Sequence, residues 1–113
     1  IEKVLYPFLK SHPQYDLARK QMDQGGGIVS FVVKGGLDRG RRFLNSLELA
    51  SHTANLGDTR TIITHPTSTT HSKLSEEERL SVGISPGLVR VSAGLEHIED
   101  IWQDIEKALH LSK

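Results

Sequence analysis

The carboxy-terminal part of the sequence carries the strongest structural pattern in the chain. Over residues 96–111, apolar side chains recur at intervals of three and four residues, which is the spacing of one face of an α-helix. The acidic residues at its start also favour a helix, because they complement the positive end of the helix dipole. A helix with one apolar face must pack that face against another element. The apolar positions are Ile98, Ile101, Trp102, Ile105, Ala108 and Leu109.

Extended segments alternate with helical ones along the rest of the chain. Residues 28–33 are nearly all apolar and β-branched or aromatic, which indicates a central strand covered on both faces. Residues 59–64 and 87–94 favour two more strands, and residues 4–6 form a short extended piece. The glycines at residues 25–27 precede a strand rather than a helix, so they are interpreted as a flexible turn and not as a phosphate-binding loop.

Helix signals mark three further segments. Pro13 is favourable at the first position of a helix and predicts that a helix begins there. Asp38 is the expected N-cap of a helix over residues 39–51. Ser75 and Glu78 have the spacing of a capping box at the start of a short helix. The apolar side of the second of these helices carries Gly40, Phe43, Leu44, Leu47 and Ala50.

The order of strand, helix, strand, helix, strand and helix, after a helical lead-in, predicts an α/β fold. We expect a two-layer sandwich, in which a small, mostly antiparallel or mixed sheet has helices packed on one side. Residues 1–23 are expected to form the helical lead-in, and residues 24–113 a small α/β domain. The chain as a whole is predicted to be a single domain and a fragment of a longer protein, since it starts at Ile1 rather than at methionine.

The composition argues against several classes of function. Fourteen basic side chains balance fourteen acidic ones, so no overall electrostatic field attracts nucleic acid or an anionic membrane. Cysteine is absent, and with it any disulfide framework or thiolate chemistry. No apolar run approaches membrane-spanning length. We expect a cytoplasmic protein that binds neither nucleic acid nor a membrane.

An arginine stands in the middle of the apolar strand at residues 87–94. Alternation places Arg90 on one face of that strand with Leu88 and Ser92, and the valines on the other. A guanidinium among apolar neighbours must reach water or an anionic partner, because an unpaired buried charge is costly. Its planar fork suits a carboxylate held by two hydrogen bonds. Arg90 is therefore a candidate receptor for a small acidic ligand, although an arginine on the wet face of a sheet needs no ligand.

Polar groups in two loops are expected near the same edge of the sheet as Arg90. Asn55 precedes one predicted strand, and Thr69 and Thr70 follow it. Hydroxyl, amide and guanidinium groups that converge in this way suit the carboxylate of an amino acid. Each of these residues is also common in turns and caps, so a purely structural role stays open.

The many histidines and serines do not form a recognisable catalyst. His65 and His71 bracket a polar loop, but their spacing matches no known set of metal ligands, and we expect hydrogen bonds rather than a metal site. No Gly-x-Ser-x-Gly elbow supports a nucleophilic serine. No lysine lies in an apolar run where burial would favour Schiff-base chemistry. A carboxylate clamp without a catalytic residue is expected.

Several motifs along the chain together resemble one family of enzymes. They include Ala-Asn-Leu-Gly-Asp-Thr-Arg-Thr at residues 54–61, His-Pro-Thr-Ser-Thr-Thr-His at 65–71 and Gly-Leu-Val-Arg-Val-Ser-Ala-Gly-Leu-Glu at 87–96. Tyr-Pro at 6–7 and Gly-Gly-Ile-Val-Ser-Phe at 26–31 fit the same pattern. In this order they resemble the closing third of the Cys/Met-metabolism family of pyridoxal-phosphate enzymes. The Asn-Leu-Gly-Asp turn is similar to that of the O-succinylhomoserine and O-acetylhomoserine sulfhydrylases within the family.

The resemblance implies both a fold and a site. The fold would be the small carboxy-terminal domain of an enzyme similar to aspartate aminotransferase. Arg90 matches the arginine that clamps the α-carboxylate of the substrate, Asn55 matches a position that helps to hold the same group, and Thr70 falls where a threonine lies near the site. The Schiff-base lysine and most groups that bind pyridoxal phosphate would belong to a larger domain. No catalytic, cofactor-binding or metal-binding residue is then expected in this chain.

The resemblance further implies a transferase reaction of methionine biosynthesis. The full-length enzyme is expected to make homocysteine from O-succinylhomoserine (or the acetyl ester) and sulfide by γ-replacement, and the isolated fragment to be inactive. The expected partners are an amino-acid substrate, the larger pyridoxal-phosphate domain of the same chain and further copies in a homotetramer. Two alternatives stay open: a cystathionine γ-synthase or lyase of the same family, and a free-standing domain that binds an amino acid without chemistry.

Overall fold

The computed structural model describes every residue from Ile1 to Lys113. Its strands are β1 (Lys3–Leu5), β2 (Ile28–Val32), β3 (Ser51–His52), β4 (Ile62–Thr64) and β5 (Leu88–Ser92). Its α-helices are α1 (Tyr15–Gln21), α2 (Gly36–Asn45), α3 (Glu76–Ser81) and α4 (Ile98–Leu111), and a 3₁₀ turn at Pro66–Ser68 follows β4. None of the helices combines the length and the hydrophobicity that a membrane crossing requires.

All five strands form one sheet in the order β1-β2-β5-β4-β3. Neighbouring strands are antiparallel, except that β3 pairs with β4 in parallel. Strand β1 lies within the predicted lead-in, and its pairing with β2 places that segment in the same sheet as the rest of the chain. The predicted α/β class, with a small mixed sheet, is confirmed.

Helices α2 and α4 pack on one face of this sheet. Phe31 of β2 and Val89 and Val91 of β5 are buried in the cluster beneath them. The ring of Phe31 meets that of Phe43 on α2 edge to face, with centroids 5.7 Å apart, a geometry that contributes beyond the area it buries. Ala108 of α4 is completely buried against the same cluster. The core therefore lies between one sheet face and two helices, as a two-layer sandwich requires.

The opposite face of the sheet, which carries Ser30, Arg90 and Thr64 in one row, is called here the open face. At β2 this face is largely uncovered: Ile28 is 37% exposed and Val32 is only partly buried. The interpretation of residues 28–33 as a strand covered on both faces is therefore wrong for this chain. Helices α2 and α4 pack on the face that carries Phe31, whereas Ile28 and Val32 on the other face stay accessible.

Helix α2 begins earlier and ends earlier than predicted. Its N-cap is Gly35, with φ of 99°, so Asp38 lies in the first turn and is not the cap. The helix stops well before Ser51 because the carboxylate of Asp104, on α4, accepts the backbone N–H groups of residues 48–50 at 2.7–3.1 Å. These hydrogen bonds replace helical ones and lead the chain into the short strand β3.

The other elements follow the predictions more closely. Helix α1 begins at Tyr15 rather than at Pro13, because a turn comes first in which the Tyr15 N–H donates to the carbonyl of His12. Ser75 and Glu78 form the predicted capping box at the start of α3. Strand β4 is shorter than the predicted strand, while β5 and α4 lie within their predicted segments.

Candidate functional site

Arg90 lies on the open face, in the central strand of the sheet. In the strand register it stands between Ser30 of β2 and Thr64 of β4. Its chain neighbours Val89 and Val91 point to the other face and are buried in the core, whereas Arg90 is half-buried. The face assigned to Arg90 by alternation is the one that it occupies.

Backbone carbonyls hold the guanidinium of Arg90 in place. Its Nη2 donates to the carbonyl oxygen of Ala54 at 2.9 Å and to that of Asn55 at 3.3 Å. Its Nε and Nη1 groups donate to no acceptor within the chain, and neither of the two ion pairs in the structure involves it. The side chain is thus oriented by neutral groups and keeps its charge and several donors for an anion.

Asn55 meets Arg90 through its main chain. Its side-chain Oδ1 accepts the N–H of Leu56 at 2.9 Å, which is a local turn contact, while its carbonyl faces the guanidinium. The side-chain Nδ2 donates to no group in the chain, and the residue is exposed. The structure therefore brings Asn55 and Arg90 together through the Asn55 carbonyl and leaves the side-chain amide donor of Asn55 without a partner in the chain.

Three side chains of the open face hold the loop of residues 53–58 across the sheet. Thr64 Oγ1 donates to the first carbonyl of this loop, Arg90 donates to the next two, and Ser92 Oγ accepts the N–H of Gly57 at 2.9 Å. Gly57 has φ of 76°, a backbone region that favours glycine. The contacts of Thr64 and Ser92 were not predicted, because no local pattern in the sequence shows which loop crosses a sheet face.

Carboxylates hold the chain just after this loop. Asp58 accepts the backbone N–H of Arg60 at 3.0 Å and pairs with its guanidinium at 3.3 Å; the backbone bond first, and then the side-chain bond, lower the pKa of Asp58 to about 2. Glu96 accepts the backbone N–H of Thr61 at 2.9 Å and its hydroxyl at 2.8 Å. The backbone bond is the main reason that the pKa of Glu96 is also lowered. Both carboxylates serve the structure of this segment.

Thr70 is not joined to Arg90 or Asn55 by any hydrogen bond. It is exposed in the turn that follows the 3₁₀ turn, and its Oγ1 lies 2.8 Å from Nδ1 of the neighbouring His71. This contact belongs to the local turn rather than to the carboxylate site. A substrate-binding role for Thr70 stays a prediction.

His65 is buried and has a structural role. Its Nδ1 lies 2.8 Å from the hydroxyl of Ser68, and its Nε2 lies 2.7 Å from the carbonyl of Pro86. Burial disfavours the charged ring and lowers the pKa of His65. The ring therefore links the 3₁₀ turn to the segment before β5, which confirms the hydrogen-bonding role expected for it. No three His, Cys, Asp or Glu side chains are placed to hold a metal ion together.

The donors around Arg90 suit the carboxylate of an amino acid, and the elements that carry them contain no lysine that could form a Schiff base with pyridoxal phosphate. Schiff-base chemistry with that cofactor needs a lysine amine. No lysine occurs in residues 53–58 or on β2, β4 or β5. The Nε and Nη1 donors of Arg90 and the Nδ2 donor of Asn55, which have no partner in the chain, can instead donate hydrogen bonds to carboxylate oxygens. Arg90 and Asn55 are therefore candidate donors for an acidic group.

Comparison with known proteins shows which family the chain matches over most of its length. A family model described as Cys/Met metabolism PLP-dependent enzyme matches residues 1–110. The chain is 51% identical over 109 residues to an L-methionine gamma-lyase of Fusobacterium nucleatum subsp. nucleatum, covering 96% of this chain and 28% of that protein. It is 49% identical over 107 residues to O-acetyl-L-homoserine sulfhydrylase 1 of Thermus thermophilus, covering 94% and 25%. It is 48% identical over 109 residues to the O-succinylhomoserine sulfhydrylase of Pseudomonas aeruginosa, covering 96% and 27%.

The chain spans about a quarter of the length of these curated relatives. Within that span, the match runs through nearly every residue and includes the loop of residues 53–58 and strand β5. The resemblance seen in the motifs is therefore confirmed: the chain belongs to the Cys/Met metabolism family of pyridoxal-phosphate-dependent enzymes.

Proposed function

We propose that this chain is the substrate-carboxylate-binding domain of a homoserine-ester sulfhydrylase that makes homocysteine from O-succinylhomoserine and sulfide. The observation that carries the proposal is the setting of Arg90. Arg90 is half-buried on the open face. Its guanidinium is oriented by the carbonyls of Ala54 and Asn55 and has no carboxylate partner within the chain. Every amino-acid substrate presents an α-carboxylate, which would supply the missing anion.

The role of Arg90 in the reaction is binding and orientation. Guanidinium N–H groups that donate to two carboxylate oxygens fix the position and the plane of the substrate's carboxylate. Correct orientation of a reacting bond lowers the entropic part of the barrier. The free amide of Asn55 adds a donor for the same carboxylate, and Thr70 is proposed to contribute from the neighbouring turn. Groups that break bonds are supplied by the part of the protein outside residues 1–113.

The choice of a homoserine ester rests on the turn at residues 55–58. Its Asn-Leu-Gly-Asp sequence is similar to that of the sulfhydrylases, and two of the relatives carry that activity in their names. In the proposed γ-replacement, the bond between the γ-carbon and the ester oxygen breaks and succinate leaves. Hydrosulfide then forms the new bond from sulfur to the γ-carbon, and homocysteine is the product.

A methionine γ-lyase is the second candidate, because relatives of that name are 51% identical to the chain. A γ-lyase breaks the bond between the γ-carbon and sulfur and adds no new group there. A cystathionine γ-synthase would instead accept cysteine as the sulfur donor. All of these reactions use an α-carboxylate receptor, so Arg90 serves each of them and does not distinguish them.

The substrate assignment is tested with the full-length protein loaded with pyridoxal phosphate. It is given O-succinylhomoserine with sulfide, the same ester with cysteine, O-acetylhomoserine with sulfide, and L-methionine alone. We expect the fastest turnover in the first mixture, with homocysteine and succinate formed in equal amounts. Methanethiol released from methionine faster than homocysteine is formed would identify a γ-lyase. Cystathionine as the main product would identify a synthase.

The assembly and the location of the protein are further parts of the proposal. We propose that the full-length protein is a cytoplasmic homotetramer, in which this domain lies against the larger pyridoxal-phosphate domain of its own chain. Light scattering of the purified protein gives its molar mass, and cell fractionation gives its location. A monomer, or a protein recovered with the membrane fraction, would contradict these two points.

A further inference from the structure

Ser92 holds the loop whose carbonyls contact Arg90. The two residues lie on the same face of β5, and Ser92 is only 3% exposed. In the register it stands between Ile28 of β2 and Ile62 of β4. A buried hydroxyl between two isoleucines costs free energy unless it makes a hydrogen bond. Its partner is the N–H of Gly57, which donates to Ser92 Oγ at 2.9 Å.

Gly57 belongs to the loop whose carbonyls orient Arg90. That loop, residues 53–58, is attached to the open face by Thr64 near its start, by Arg90 in its middle and by Ser92 near its end. Without the Ser92 hydroxyl, the N–H of Gly57 has no acceptor in the chain, and side chains of the open face hold the loop only at residues 53–55. The carbonyls of Ala54 and Asn55 would then lose a support that holds them against the guanidinium.

We propose that Ser92 is a positioning residue for substrate binding. Its hydroxyl fixes the loop of residues 53–58, and the loop in turn fixes the direction in which Arg90 presents its free donors. Ser92 itself does not contact the substrate. The inference rests on the proposed role of Arg90 as the receptor for the substrate's carboxylate.

Kinetics of the full-length enzyme test this role, with the amino-acid substrate that the wild-type enzyme turns over fastest. For Ser92→Ala we expect the KM for that substrate to rise about 3- to 10-fold, with kcat changed less than about 2-fold, as loss of one neutral hydrogen bond predicts. Ser112→Ala is the matched control, because Ser112 is also buried and hydrogen-bonded but lies at the end of α4. It is expected to leave KM unchanged.

A second pair of variants separates the hydroxyl from the shape of the side chain. Threonine and valine have nearly the same shape and suit a strand, but only threonine carries a hydroxyl. We expect Ser92→Thr to keep a KM close to that of the wild-type enzyme and Ser92→Val to raise the KM. If Ser92→Ala does not fold, the difference in KM between Ser92→Thr and Ser92→Val tests the role of the hydroxyl in its place.

Combination with Arg90→Lys shows whether Ser92 acts through Arg90. Lysine keeps the charge but lacks the fork, so removal of the Ser92 hydroxyl should raise KM much less in that background. An equal rise in both backgrounds overturns the inference. An unchanged KM in Ser92→Ala and Ser92→Val, with a raised KM in Arg90→Lys, also overturns it but leaves the proposed function intact. An unchanged KM in Arg90→Lys would instead contradict the proposed site as well.

Discussion

Gly40 of helix α2 lies so close to the ring of His65 that a β-carbon built on Gly40 would stand 2.5 Å from Nε2. The ring has little freedom to move, because Ser68 and the carbonyl of Pro86 hold its two nitrogens. The missing side chain at Gly40 therefore lets α2 approach the 3₁₀ turn after β4. His65 directly follows strand β4, and Thr64 of β4 pairs with Arg90. The contact between α2 and His65 therefore lies next to the strand that neighbours Arg90.

Gly40→Ala is expected to destabilise the protein. The new methyl group would overlap a buried ring that cannot move aside, and overpacking of this kind costs about 1 to 3 kcal/mol of unfolding free energy. Chemical denaturation followed by circular dichroism measures the change. Gly27→Ala is the control, because the nearest atom to its built β-carbon is 3.8 Å away, and its stability should stay within about 1 kcal/mol of wild type. Equal stability of the two variants would contradict the role of Gly40.

Asp104→Ala is expected to destabilise the connection between α2 and β3. The Asp104 carboxylate accepts three backbone N–H groups from residues 48–50, and loss of a buried charged acceptor costs about 2 kcal/mol or more. Chemical denaturation followed by circular dichroism measures this loss of unfolding free energy. Glu106, on the same helix, is exposed and makes no hydrogen bond through its side chain, so Glu106→Ala should have little effect. If Asp104→Ala lowers the free energy of unfolding no more than Glu106→Ala does, the three hydrogen bonds of Asp104 are not needed for stability.

The protein is expected to lose stability as the pH falls below the ordinary pKa of histidine. Burial lowers the pKa of His65 from its ordinary value of 6.5. Below that value the unfolded chain takes up a proton that the folded chain does not, so stability rises with pH through this window and levels off above it. Urea unfolding at about pH 5.5 and about pH 7.5 gives the difference. The difference should shrink in His65→Gln and persist in His110→Gln, since His110 is exposed. An equal difference in His65→Gln and the wild type would contradict this origin.

The sequence predicted the elements whose side chains face the common core. Strand β5 and helix α4 were found by periodicity, because Val89, Val91 and Ala108 all contribute to one apolar cluster and a buried face imposes its spacing on the sequence. The end of α2 could not be predicted in this way. It depends on Asp104, which is 54 to 56 residues away in the chain.

The site shows the same division between local and long-range information. Alternation was enough to assign Arg90 to its face, and the family motif singled out Asn55. The hydrogen bonds from Arg90 to the carbonyls of Asn55 and Ala54 span 35 and 36 residues and depend on the path of a loop. The contact between Ser92 and Gly57 depends on the same loop. No local pattern encodes such a path, so the groups that orient Arg90 became visible only in the structure.

The most direct test of the account is the KM of Arg90 variants of the full-length enzyme for its amino-acid substrate. Arg90→Ala removes a charged hydrogen-bond donor, so we expect KM to rise about 10- to 100-fold, with a smaller rise for Arg90→Lys and unchanged absorbance of the bound cofactor. Arg41→Ala is the control, since Arg41 is exposed and its side chain makes no hydrogen bond or ion pair. A KM for Arg90→Ala equal to that of Arg41→Ala would contradict the claim that Arg90 receives the substrate's carboxylate.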